Sequence, residues 1–187
     1  MARTYTTQIP LGYHAPDFVL PDPRTGEQVT YETIRGEKAT IVMFICNHCP
    51  YVVHLREELL RLAHDYQHRG FGFVAISSND VENYPDDAPV KMAELAEELK
   101  MPFPYLYDET QEVAKAYDAA CTPDFSVFDS NDCCVYRGEF DGSRPGNGVP
   151  VTGQAMRAVL DQLEKGVAPA AEGQVPSMGC NIKWKAQ

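Results

Sequence analysis

The sequence predicts an α/β domain in which helices cover both faces of a sheet. Residues 39–45 and 71–77 are short apolar runs, the first rich in β-branched residues, and fit strands buried on both faces. Between them, Val52, Leu55, Leu59, Leu62 and Tyr66 recur at spacings of 3, 4, 3 and 4, the apolar stripe of a helix. The same alternation continues along the chain in the order β(β)βαβαβαββα, which makes a layered α/β sheet the expected architecture.

The elements follow in order. Residues 17–20 and 28–31 read as two short strands around a Pro/Gly turn. Residues 39–45 form the first buried strand, and 50–68 the first long helix, closed by Gly70. Pro50 suits a first helical turn and keeps the preceding Cys49 out of helical geometry. Residues 71–77 are the second buried strand. An acidic loop over 79–87 leads to a helix opened by Asp86 or Asp87 with Pro89 and carrying Met92, Leu95, Ala96 and Leu99. Residues 103–107 make a short strand. Asp108 with Gln111 resembles a capping box for a helix through Tyr117. Residues 125–129 and 133–140 form a hairpin turned at Ser130, Asn131 and Asp132. A Gly/Pro/Ser loop over 141–153 precedes a last helix with Met156, Val159, Leu160 and Leu163. Residues 1–187 are expected to form one domain, with 167–187 a flexible-looking tail packing on it.

Composition narrows the function. The formal charge of −11 disfavours nucleic acid and anionic membrane surfaces as partners. The longest apolar run, residues 41–46, is far short of the ~20 residues a spanning helix needs. The first residues lack the apolar core of a signal peptide, so a cytoplasmic location is expected. Persistent structural disulfides are disfavoured there, so closely spaced cysteines point to redox chemistry or metal binding.

Cys46-Asn47-His48-Cys49 sits where a buried strand gives way to a helix. A helix start presents unpaired N–H groups and the positive end of the dipole, which favour thiolate over thiol. Two cysteines separated by two residues at such a turn can close a disulfide with little backbone movement. His48 and Asn47 lie between the thiols, where His48 can stabilise a thiolate. A closed zinc site needs four ligands, and no second pair of this spacing follows, so redox use is favoured and no metal or cofactor is expected. Cys121 and Cys180 are possible accessory thiols, the latter able to resolve a sulfenic acid. Cys133 and Cys134 read as structural filler, and His64 with His68 as a solvated helix face.

These residues resemble the thioredoxin-fold superfamily, specifically its peroxiredoxin-like AhpC/TSA (redoxin) branch. Residues 15–21 (APDFVLP) look like the entry segment of redoxin domains. Residues 44–52, 120–125 and 176–184 look like one subgroup of peroxiredoxin-like proteins. The resemblance implies a thioredoxin core, a central mixed sheet flanked by helices, with an N-terminal β extension and an extended C-terminal tail. It implies a cis-proline at Thr122-Pro123 that faces the pair and offers backbone to a partner. It also implies thiol–disulfide exchange or peroxide reduction. The peroxiredoxin signature Pro-x-x-x-Thr-x-x-Cys is missing: with Cys49 as its cysteine, the Pro and Thr positions hold Val42 and Cys46.

The leading expectation is therefore a thiol–disulfide oxidoreductase. Cys46 is the exposed nucleophile and Cys49 the resolving thiol. The partner is a protein or small-molecule disulfide, a cellular thiol is the reductant, and a homodimer is allowed. A thiol peroxidase with Cys49 peroxidatic and Cys46 or Cys180 resolving is the alternative. A copper-delivery module and a redox sensor without turnover are weaker ones.

Overall fold

The computed structural model describes residues 3–186. Its centre is a five-stranded mixed sheet. Strand β4 (Ala39–Phe44) runs parallel to β5 (Phe71–Ser77), which runs parallel to β6 (Tyr105–Tyr107). On its other side β4 is antiparallel to β8 (Asp124–Asp129), which turns back into β9 (Cys134–Arg137). The resulting order is β6-β5-β4-β8-β9.

Alternation along β4 divides the core. Ala39, Ile41 and Met43 face a cluster that includes Leu55, Leu59 and Leu62 of α2 (Pro50–Gln67), Met92 and Ala96 of α3 (Pro89–Glu98), and Met156, Val159 and Leu160 of α5 (Gln154–Glu164). Val42 and Phe44 point to the opposite face, toward Tyr31 of α1 (Tyr31–Ile34), Ala114 of α4 (Glu112–Ala116), and Phe18 and Leu20. Leu20 belongs to the hairpin of β2 (Val19–Pro21) and β3 (Gln28–Thr30), the N-terminal β extension. Helices thus lie on both faces of the sheet.

Three expectations need correction. The expected flexible-looking tail holds a paired strand: β10 (Met178–Asn181) is the middle strand of a small sheet, between β1 (Arg3–Tyr5) and β7 (Cys121–Thr122). A four-residue strand containing glycine and asparagine has no alternation to betray it. The cap of α3 is Ala88, not Asp86 or Asp87; Asp87 is buried. Asp108 and Gln111 do not form a capping box. Instead Gln111 Nε2 donates to the Ser78 and Lys183 carbonyls, and its Oε1 accepts from Lys185 N–H, so its side chain fastens the tail. Among the described residues, no helix is long and apolar enough to cross a membrane.

Candidate active site

Strands β4 and β5 are parallel, so the segments leaving them emerge at the same end of the sheet. The first carries Cys46 to Cys49, the second Asn79 to Asp87. Ligands favour the carboxyl ends of strands in such sheets, and that is where these two segments meet.

Cys49 is the N-cap of α2, held extended at φ −66° and ψ 122° by the proline that follows it. Both sulfurs meet Thr122 of β7, the strand that leads into β8. Cys46 Sγ lies 3.5 Å from Thr122 Oγ1, and Cys49 Sγ lies 3.0 Å from the Thr122 carbonyl oxygen. The Thr122–Pro123 peptide bond is cis, as the resemblance implied. Cys46 is only 2% exposed and Cys49 fully buried, so the expectation of an exposed Cys46 is not met. Over the pair, β10 pairs with β7 and sets Cys180 opposite Thr122 and in contact with Cys49.

The two thiols are unequal. Cys49 is pulled down to about 4, chiefly because the Cys46 thiol donates to it; burial opposes this, and donation from the Thr122 hydroxyl, the Cys180 thiol and the Val52 N–H assists. Its contact with the Thr122 carbonyl favours the neutral form, but the donors outweigh a single acceptor. Cys46 is pushed up because it is the donor to Cys49, because it is buried, and because the Asp87 carboxylate is near. The pair therefore keeps one proton, and the sulfur at the helix start ionises first. Cys180 is pushed up to about 12 by burial and by donating to Cys49.

His48 faces Tyr84 and Asp87. Its ring stacks on Tyr84, centroids 5.9 Å apart, and Nδ1 sits 2.7 Å from Asp87 Oδ2. That approach is off the line of a hydrogen bond, so among the described residues the buried Nδ1 has no hydrogen-bond partner. Asp87 accepts from Asn47 N–H (2.8 Å) on Oδ1 and from Asn79 Nδ2 (2.8 Å) on Oδ2. Asn47 Nδ2 donates to the Asp86 carbonyl, and Asn47 Oδ1 accepts from Tyr105 Oη at 3.0 Å. Asn47 thus clamps the turn.

The fold brings together Cys46, Asn47, His48, Cys49, Thr122, Pro123 and Cys180. Cys121 points instead toward Thr6 and Asp124, where burial pushes its thiol up. Cys134 is buried, whereas Cys133 is partly exposed, 3.9 Å from His14 Nε2. His68 Nδ1 contacts the His64 carbonyl on the helix surface. Asp87, Asn79, Tyr84 and Tyr105 were missed by sequence reasoning. The usable signal was position, since the acidic loop follows a strand parallel and adjacent to the one that ends at Cys46.

Known structures share this fold. An uncharacterized conserved protein from Geobacillus kaustophilus is 56% identical, with a TM-score of 0.97, and the match covers 100% of this chain and 98% of that one. A hypothetical protein from Sinorhizobium meliloti is 46% identical, with a TM-score of 0.95 over 98% of this chain and all of the other. A thiol:disulfide interchange protein of the thioredoxin family from Chlorobium tepidum is 15% identical but shares the fold, with a TM-score of 0.63 over 82% of this chain and 97% of that one. None of the curated proteins matches this chain. The architecture is the thioredoxin fold. Residues 11–140 match the AhpC/TSA family, which supports a redox function, and with that match spanning most of the sequence, the chain belongs to the AhpC/TSA family.

Proposed function

We propose that this chain is a thiol–disulfide oxidoreductase whose working pair is Cys46 and Cys49. The observation that carries the reading is the single residue Thr122 in contact with both sulfurs, one of them at a helix N-terminus. Cys46 attacks a partner disulfide, and its proton passes to the Cys49 thiolate as the new S–S bond forms. One partner sulfur leaves as thiolate. Cys49 then attacks Cys46 of the mixed disulfide, its proton going to the departing partner thiol. The partner gains two electrons, and the Cys46–Cys49 disulfide is reduced again by a cellular thiol. Because β10 covers the Thr122 backbone, a polypeptide partner engages that edge only when β10 yields it.

The test is exchange with a model disulfide. Cys46→Ser abolishes turnover, and Cys49→Ser accumulates the mixed disulfide seen by mass spectrometry. Undiminished turnover in both variants sinks the reading.

One observation favours a second reading. The lowered Cys49 thiol touches Cys180 as well as Cys46, so a hydroperoxide small enough to enter could oxidise it. Cys49 thiolate would take the terminal oxygen as sulfenic acid, releasing alkoxide, and either neighbouring thiol would condense with it, releasing water. Stopped-flow oxidation by hydrogen peroxide separates the two: a rate no faster than free cysteine leaves exchange standing alone.

A further inference from the structure

The pair is not the whole of the chemistry gathered at this sheet end. Cys46 Sγ, a ring nitrogen of His48 and a carboxylate oxygen of Asp87 all lie within 4.8 Å of one another. Asp87 is fully buried, and a buried carboxylate is costly unless a cation or donors compensate it. Two of its neighbours are neutral donors, Asn47 N–H and Asn79 Nδ2. The third is His48 Nδ1, 2.7 Å from Oδ2 as an ion pair but off the line of a hydrogen bond, so the ring nitrogen faces the carboxylate without donating to it.

We propose that the reduced protein binds one zinc-class divalent cation through Cys46 Sγ, a ring nitrogen of His48 and the Asp87 carboxylate. One thiolate, one imidazole and one carboxylate form a borderline donor set suited to zinc. The outer contacts are built: Asn79 and the Asn47 amide orient the carboxylate, and Tyr84 stacks on the imidazole. His48, with its side chain 21% exposed, gives the ion a way in from solvent. The sequence does not reveal this site because its third ligand is supplied 39 residues beyond His48, by an acid that reads as a helix cap.

This site shares Cys46 with the exchange reaction but does not depend on it. Anaerobic titration of the reduced protein with Co2+ tests it. The expected result is one equivalent of tetrahedral cobalt, with visible d–d bands and a thiolate-to-cobalt charge-transfer band, displaced by Zn2+. The bands are absent in Cys46→Ser and in the Cys46–Cys49 disulfide form. Affinity falls at least about tenfold in His48→Ala and in Asp87→Asn. Circular dichroism checks the fold of each, and His48→Ala decides alone if Asp87→Asn does not fold. No charge-transfer band in the reduced protein, or an affinity unchanged in either folded variant, overturns the proposal. A negative cobalt result leaves the Cys46→Ser and Cys49→Ser exchange assay unaffected, so the two failures are distinguishable.

Discussion

Thr122 is the residue on which the two sulfurs converge. Its hydroxyl favours ionisation of both, and Thr122→Val removes the donor while keeping the shape. A hydrogen bond to a charged group contributes about 1.5–3 kcal/mol, so the Cys49 thiol of this variant should titrate about one to two pH units higher. Thiolate absorbance against pH reads this directly, and an unchanged curve would remove Thr122 from the account. Stability should follow the same groups. Cys49 has its pKa lowered from an ordinary 9 to about 4, so its contribution is present above pH 9 and is lost as pH falls toward 4. Cys46 is shifted upward, so its contribution is present below pH 9 and lost above it. The reduced protein should therefore gain stability over Cys49→Ser as pH rises from about 4 to about 9. Denaturant midpoints measured at several pH values for both proteins check the sign, and a constant difference contradicts it.

At the scale of elements, the seal over the thiols depends on one close approach. A Cβ on Gly179 would sit 1.9 Å from the Thr122 carbonyl oxygen and 2.6 Å from its carbon. Both are backbone atoms and cannot swing aside, so Gly179→Ala should push β10 off β7. The expected outcome is faster alkylation of Cys49 and Cys180, by about tenfold or more, with a stability loss of about 2 kcal/mol. Mass spectrometry of timed alkylation assigns each thiol, and an unchanged rate at both would mean that β10 does not gate them. The central strands and the first long helix were legible because their apolar pattern is set locally: the expected second strand and the observed β5 coincide over Phe71–Ser77. The elements around the site were not. Asp87 and Gln111 look like cap residues in sequence, yet the first is buried against the Cys46 turn and the second holds down the tail. Long-range pairing decided their roles, and local pattern does not record it.

For the whole molecule, strand pairing joins residues near the two ends of the described chain, with Arg3 opposite Cys180 and Cys180 opposite Thr122. The single tryptophan, Trp184, lies just beyond this strand, beside Lys115 of α4. If the tail is integral to the fold, tryptophan fluorescence and far-ultraviolet circular dichroism should report one coincident unfolding transition. A fluorescence change preceding loss of the helices would instead make the tail a separately melting unit. The thioredoxin fold itself was legible once residues 44–52 and 120–125 were read together, whereas the closed state of the site was not, since it depends on a strand with no sequence signature.

The position of β10 also orders events during synthesis. A ribosome completes Cys46, Cys49 and the cis-proline segment long before it makes Met178–Asn181. A domain folds as a unit, so the cover over the thiols forms only once that strand is available. Until that strand is made, the cysteine pair has no β10 to cover it. In that interval its sulfurs are open to the surrounding oxidants and metal ions, and the last strand ends it.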